Sequence, residues 1–170
     1  MSGDRARRTS SGSTLRLVGA DGADQAAAGE PEVTESGPED GADVLSIVLP
    51  GQRQSVAVGR HWVVRAAAER GVTGMANQVV ELLSSELLAN AVLHGADGSA
   101  VGLQLRHAEE VLRVSVSDGG AQNPVVLHHE PTAPNGRGMA IVEAMSTRWG
   151  VDEHGEGGKT VWFELDLADF

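Results

Sequence analysis

Glu86 and Asn90 stand four residues apart in a segment whose other periodic positions are apolar. Met75, Val79 and Leu82 precede them and Leu93 follows, at spacings of three and four that share one helical face. A carboxylate and an amide in such a stripe are costly unless they have partners. One expectation is that both are hydrogen-bonded in the core or at its rim. The pairing favours a chemical role instead. An Asn carbonyl oxygen is a hard ligand, suited to a Mg2+ that keeps most of its waters and binds through substrate phosphates. A carboxylate one turn away can orient a hydroxyl or a water and accept its proton. The i, i+4 spacing lets both reach one phosphoryl group.

Two further segments add to this pair. Asp118 ends the run 111–118, in which Leu112, Val114 and Val116 alternate, so it continues their face. At the floor of a cleft its carboxylate can accept a hydrogen bond from a base amino group. Gly119 and Gly120 then let the following loop pass close to that base. An Asp-Gly turn is common, so the bland reading is an ordinary strand end. In the second segment, Gly136-Arg137-Gly138-Met139 opens an apolar helical pattern. Backbone N–H groups at a helix start can hold phosphates, and Arg137 adds a charged donor. His128-His129-Glu130 lies between the two segments, but its spacing matches no strong metal site.

Positioning these residues requires a particular set of elements. A strand at 45–49, helices at 54–70 and 73–94, and strands at 99–107 and 111–117 follow from periodicity. A loop at 119–135 leads to a helix at 137–147 and strands at 148–151 and 160–167. The order β-α-α-β-β-α-β-β predicts an α+β sandwich, a mostly antiparallel sheet with its helices on one face.

Composition narrows the function. The chain has 170 residues, no cysteine and a formal net charge of −11, with only 13 Lys and Arg. Disulfides and Cys-ligated metals are excluded. Direct nucleic-acid binding is not expected from so acidic a chain. No apolar run has the length of a membrane span, which predicts a soluble, cytoplasmic protein without membrane contact. Residues 1–43 differ from the rest. After Arg5, Arg7, Arg8 and Arg16, eight acids and no base lie between Ala20 and Asp43. Such a segment has little apolar surface to offset its ordering entropy, so 1–43 is expected to be a disordered acidic tail and 44–170 the folded domain.

In order along the chain, ELLSSELLANAVLHG, SVSDGG and GRGMAIV resemble the N, G1 and G2 boxes of the GHKL (HATPase_c) ATPase superfamily. The small bacterial anti-sigma factor serine/threonine kinases are the most similar branch, and RWGVDEHGEGGKTVWFEL also resembles theirs. The resemblance spans about 45–167. It implies a Bergerat-type α/β sandwich that binds ATP with Mg2+. Glu86 would be the general base, Asn90 the metal ligand and Asp118 the adenine reader. Gly120 would shape the base pocket, and Gly136, Arg137, Gly138 and Met139 would support phosphates at the end of a lid at 121–135. Thr160 would join the adenine network, although by alternation it shares a face with Trp162 rather than with Val161, Phe163 and Leu165. The resemblance further implies a kinase that sequesters a sigma factor and phosphorylates a STAS-type anti-anti-sigma protein, and it is compatible with a homodimer.

Two departures bear on turnover. Ala121-Gln122 follows Gly120 where a second glycine is usual, and Ala140 follows Met139 where many relatives have glycine. A nucleotide-dependent binding module without catalysis is therefore the alternative. A detached histidine-kinase catalytic domain ranks lower, because no helical pair with a phospho-acceptor histidine precedes Val44.

Overall fold

The computed structural model describes residues 32–39, 41–95, 98–118, 137–154 and 158–170. Six strands form one antiparallel sheet: β1 (Glu32–Glu39), β2 (Ala42–Leu49), β3 (Val101–Ala108), β4 (Val111–Asp118), β5 (Arg148–His154) and β6 (Gly158–Asp166). Their spatial order is β1-β2-β3-β4-β6-β5. Helices α1 (Arg53–Ala68), α2 (Gly74–His94) and α3 (Arg137–Met145) pack on one face. The α+β sandwich expected from the pattern is the observed fold, and each expected element is present within a few residues of its predicted bounds.

The strand register shows why this face is the core. Leu45, Leu105, Val114, Phe163 and Trp149 pair in one row across five strands, and Ile47, Leu103, Val116, Val161 and Val151 form the next. Both rows join the core beneath the helices. Alternation along each strand puts these residues on the same side, so the pattern and the register reinforce each other. Asp118 pairs with Lys159 one row further, where the apolar rows give way to charge.

The two long helices are tied to each other and to the sheet. Gly59 is buried where α1 crosses α2, and a Cβ there would lie 2.8 Å from a Leu88 methyl and 3.0 Å from one of Leu49. Asn77 donates to the Val64 carbonyl at 3.1 Å. Gly71, with φ +83, ends α1 in the left-handed conformation that favours glycine. Arg70 just before it reaches Asp43 of β2 at 2.6 Å.

Part of the segment expected to be a disordered tail is structured. Glu32–Glu39 pairs antiparallel with β2 from Glu32↔Val48 to Glu39↔Ala42, and β2 itself begins at Ala42 rather than near Val44. Glu-rich composition argued against a strand here, but the exposed edge of β2 supplies backbone partners that composition does not reveal. Residues 1–31 lie outside the described residues. Among the described residues no helix is long and apolar enough to cross a membrane.

The opposite face of the sheet is polar but closely packed. The Arg113 guanidinium lies 3.9 Å above the Trp162 ring and 3.4 Å from Glu164. Burial pushes the Arg113 pKa down, while Glu164 and Asp152 act to restore it. Gly150 pairs with Trp162, and a Cβ at Gly150 would meet the indole at 2.6 Å. A rigid ring cannot retreat as a flexible side chain can. Gly150→Ala is therefore expected to cost about 1–3 kcal/mol, read as a lower midpoint in denaturant unfolding.

Candidate functional site

The rotation of α2 about its axis decides where the site lies. Its buried residues are Ala76, Val79, Val80, Leu83, Ser84, Leu87, Leu88 and Ala91. Met75, Leu82 and Leu93 of the predicted stripe are instead 67%, 38% and 60% exposed. The stripe read from the sequence is thus turned away from the true core line by roughly a quarter turn at ~100° per residue. Both lines are apolar, so periodicity alone could not choose between them. Glu86 and Asn90 consequently sit half-buried on the flank of the core face rather than in its middle.

From that flank each reaches a different neighbour. Asn90 lines a small cavity with Asp118, Lys159 and His94, walled by Leu87, Ala91, Val116 and Val161. The cavity measures only about 10 Å3 to the centre of a water-sized sphere, about the size that admits one water. A larger ligand enters only by a shift of the lining side chains, of which lysine is the longest. Glu86, one turn earlier, lies against the start of α3. A Cβ on Gly138 would collide with Glu86 Oε2 and sit 3.4 Å from its Cδ. Glycine at 138 is what allows the carboxylate to approach that helix end.

Strand parity places Asp118 as expected. It is 3% exposed, on the face of Leu112, Val114 and Val116 and beneath α2. Arg137 is the exposed first residue of α3, and Met139 is buried in the core beneath it rather than turned to the surface. Gly120, Gly136, the lid at 121–135 and His128-His129-Glu130 fall outside the described residues.

Thr160 is not brought to this cavity. Its hydroxyl is 2.7 Å from Ser117 Oγ and 2.8 Å from His154 Nε2, on the opposite face of the sheet. The role that the family resemblance implied for Thr160 in the adenine network is not what this geometry shows; alternation puts it on the face of Trp162, opposite Val161 and Phe163. The residue that does face Asp118 is Lys159, with Nζ 3.9 Å from Oδ2 and the two side chains 5% and 2% exposed. Burial holds the Lys159 ammonium below the usual lysine range, and Asp118 acts in the opposite direction. The functional reading of the sequence missed Lys159. The signal that finds it is its place at the end of the alternating row Val161, Phe163 and Leu165.

The donor set fits a phosphate-bound Mg2+ better than a protein-caged metal. No group of three or more His, Cys, Asp or Glu that could hold a metal occurs among the described residues. One amide oxygen beside a cleft suits a cation that keeps its waters and is shared with phosphates.

Because Thr160 faces away from the cavity, Thr160→Val is expected to leave ligand affinity unchanged. It removes one hydrogen-bond partner from each of Ser117 and His154, which should lower unfolding free energy by about 1–3 kcal/mol in a chemical denaturation series.

Comparison of the chain with curated proteins gives no match. A family model described as the histidine kinase-like ATPase domain matches residues 49–165. Those bounds run from the last residue of β2 to near the end of β6, and so contain α1, α2 and α3, the cavity and Glu86. With more than half of its length matched over the very elements that build the site, the chain belongs to the histidine kinase-like ATPase domain family.

Proposed function

We propose that this domain binds Mg-ATP and acts as a regulatory protein kinase of the anti-sigma type, sequestering a sigma factor and phosphorylating a serine on a STAS-type antagonist. The observation that carries the reading is the division of labour along α2. Asn90 lines the cavity floored by Asp118, while Glu86, one turn away, lies against the glycine that opens α3. Membership of an ATPase family supports ATP as the nucleotide. The kinase activity and its partners extend the family likeness of the 81–95, 115–120 and 136–142 segments.

In this reading Asp118 accepts a hydrogen bond from the adenine amino group. The α3 N-terminus, with its backbone N–H groups and Arg137, faces the phosphates. Asn90 supplies an oxygen to Mg2+, which when bound neutralises phosphate charge. Glu86 takes the proton from the incoming serine hydroxyl. The serine oxygen bonds to the γ-phosphorus as the bond from that phosphorus to the β–γ bridging oxygen breaks, and ADP leaves.

The second reading is a nucleotide-dependent binding module without transfer. Ala140, exposed in the first turn of α3, motivates it, since glycine is usual there among similar chains.

Labelled γ-phosphate from ATP should pass to a cognate antagonist with the wild type. Glu86→Gln should slow transfer by about a hundredfold to ten-thousandfold while leaving ATP binding near its wild-type value. Unchanged transfer in that variant eliminates Glu86 as the base, and no transfer by the wild type with partner and ATP present favours the binding module. Gly138→Ala should slow transfer by about a hundredfold, because a methyl group pushes the Glu86 carboxylate from its place while sparing the Asp118 pocket. A pull-down with and without ATP should recover a sigma factor or its antagonist; recovery of neither in either condition removes the anti-sigma assignment.

A further inference from the structure

A second cavity lies at the other end of α3. It measures about 260 Å3 and is lined by Met145 and Ser146 at the end of the helix, Thr147 beyond it, and Asp169 and Phe170 after β6. Gly138, which rests against Glu86, and Met145, at the rim of this cavity, stand roughly 10 Å apart along the helix at ~1.5 Å per residue. None of the lining residues belongs to the site described above.

The groups around this cavity accept hydrogen bonds and carry negative charge. The Ser146 N–H closes the helical ladder by donating to the Val142 carbonyl at 3.0 Å. The Thr147 N–H donates instead to the Glu164 carbonyl of β6 at 2.9 Å, which leaves the Glu143 carbonyl without its helical donor. The unbonded carbonyls at a helix end form the negative pole of its dipole. A basic side chain in the last turn favourably answers that charge, but α3 has none there and carries Glu143 instead. Asp169 adds a carboxylate, and none of the lining residues is basic. Arg148, next along the chain, is turned to the opposite face of the sheet, where it pairs with Glu164.

Two further observations call for a ligand. Ser146 is 5% exposed, and its Oγ is buried with no hydrogen-bond partner. A buried polar group in that state costs about 1–3 kcal/mol. One torsion, χ1, carries the oxygen between staggered positions, so a polar group in the cavity can recruit it by a rotamer change. Met145 and Phe170 are 42% and 50% exposed although both are large and apolar. An apolar stem that ends in a positive charge meets these needs together. Its stem covers Met145 and the Phe170 ring, and its charge faces the carbonyls, Ser146 and Asp169.

We propose that this cavity binds an alkylammonium group, carried by a lysine of a protein partner or by a free amine. The chain has no lysine to place there. Its single one, Lys159, lies at the start of β6 opposite Asp118, whereas the cavity follows the end of that strand. The site is independent of the nucleotide reading and uses none of its residues.

The test titrates the full, isotope-labelled chain with n-butylamine, an ammonium at neutral pH, and follows backbone amide signals by NMR. The amides of residues 145–147 and 169–170 should shift and saturate. n-Butanol, of the same length but uncharged, should leave them in place. Asp169→Asn should weaken butylamine about two- to fivefold, the range for one exposed charge pair. Ser146→Ala should weaken it about tenfold, as expected for a lost hydrogen bond to a charged group. Without ligand, Ser146→Ala should not lower the thermal unfolding midpoint, because the hydroxyl it removes has no partner. Nα-acetyl-lysine methylamide distinguishes the sources: binding as tight as butylamine's or tighter assigns the site to a lysine side chain, and weaker binding assigns it to a free amine. The proposal is overturned if butylamine leaves those amides unmoved, if butanol shifts them equally, or if neither variant changes the affinity. A lowered midpoint in ligand-free Ser146→Ala also overturns it, since the hydroxyl is then already bonded within the fold.

Discussion

The packing of α2 on the central strands is the constraint on which the rest of the molecule depends. Leu83, Leu87 and Leu88 are each at most 2% exposed and join the core above the rows through Val114 and Val116. Burying a leucine side chain contributes about 1.5–3 kcal/mol, so these three contacts fix the helix rotation against any competing preference of its polar residues. Once the rotation is fixed, every other residue of α2 has a determined direction. Asn90 is left beside the end of β4, and Glu86 beside the start of α3. Neither is placed by interactions of its own.

The sheet serves two roles on its two faces. On the helix side the apolar rows run uninterrupted until Asp118 and Lys159, which turn the end of the core into a polar pocket without leaving the same alternation. On the other side Ser117, Thr160 and His154 share short hydrogen bonds, and Arg113 bridges Trp162 and Glu164. These far-face contacts hold β4, β5 and β6 in register. Register in turn keeps Asp118 opposite Lys159, because a slip of one residue would move both to the wrong face. The cavity on one face of the sheet thus depends on hydrogen bonds made on the other.

The two carboxylates meet different surroundings. Asp118 is enclosed and lies beside an ammonium. Glu86 is half-buried at the side of a helix start, close enough to Gly138 that a side chain there would displace its carboxylate. That arrangement leaves its carboxylate near the N–H groups of α3, where negative charge is favoured. The two carboxylates thus stand in different settings, one enclosed at a strand end and the other at the side of a helix.

Much of this was legible in the sequence. Alternation in 111–117 gave β4 and the direction of Asp118, whereas for Thr160 alternation and the role implied by family likeness disagreed, and the hydrogen bonds to Ser117 and His154 decided its side. The three helices, their stops at Gly71 and Gly95, and the antiparallel order followed from periodicity and turn residues. The rotation of α2 did not follow. Met75, Leu82 and Leu93 form an apolar stripe as regular as Ala76, Leu83 and Leu87, and which of two such lines meets the sheet is settled by packing volume, not by spacing. The strand at Glu32–Glu39 was hidden for a related reason: its partner is an edge of β2, and edge pairing is a property of the assembled sheet. The sequence alone determined which residue types could do chemistry and which faces they share along each element, since alternation and helical period are local. Only the tertiary structure decided that Lys159 faces Asp118 and that Glu86 rests against Gly138, because those pairs join elements that local periodicity cannot relate.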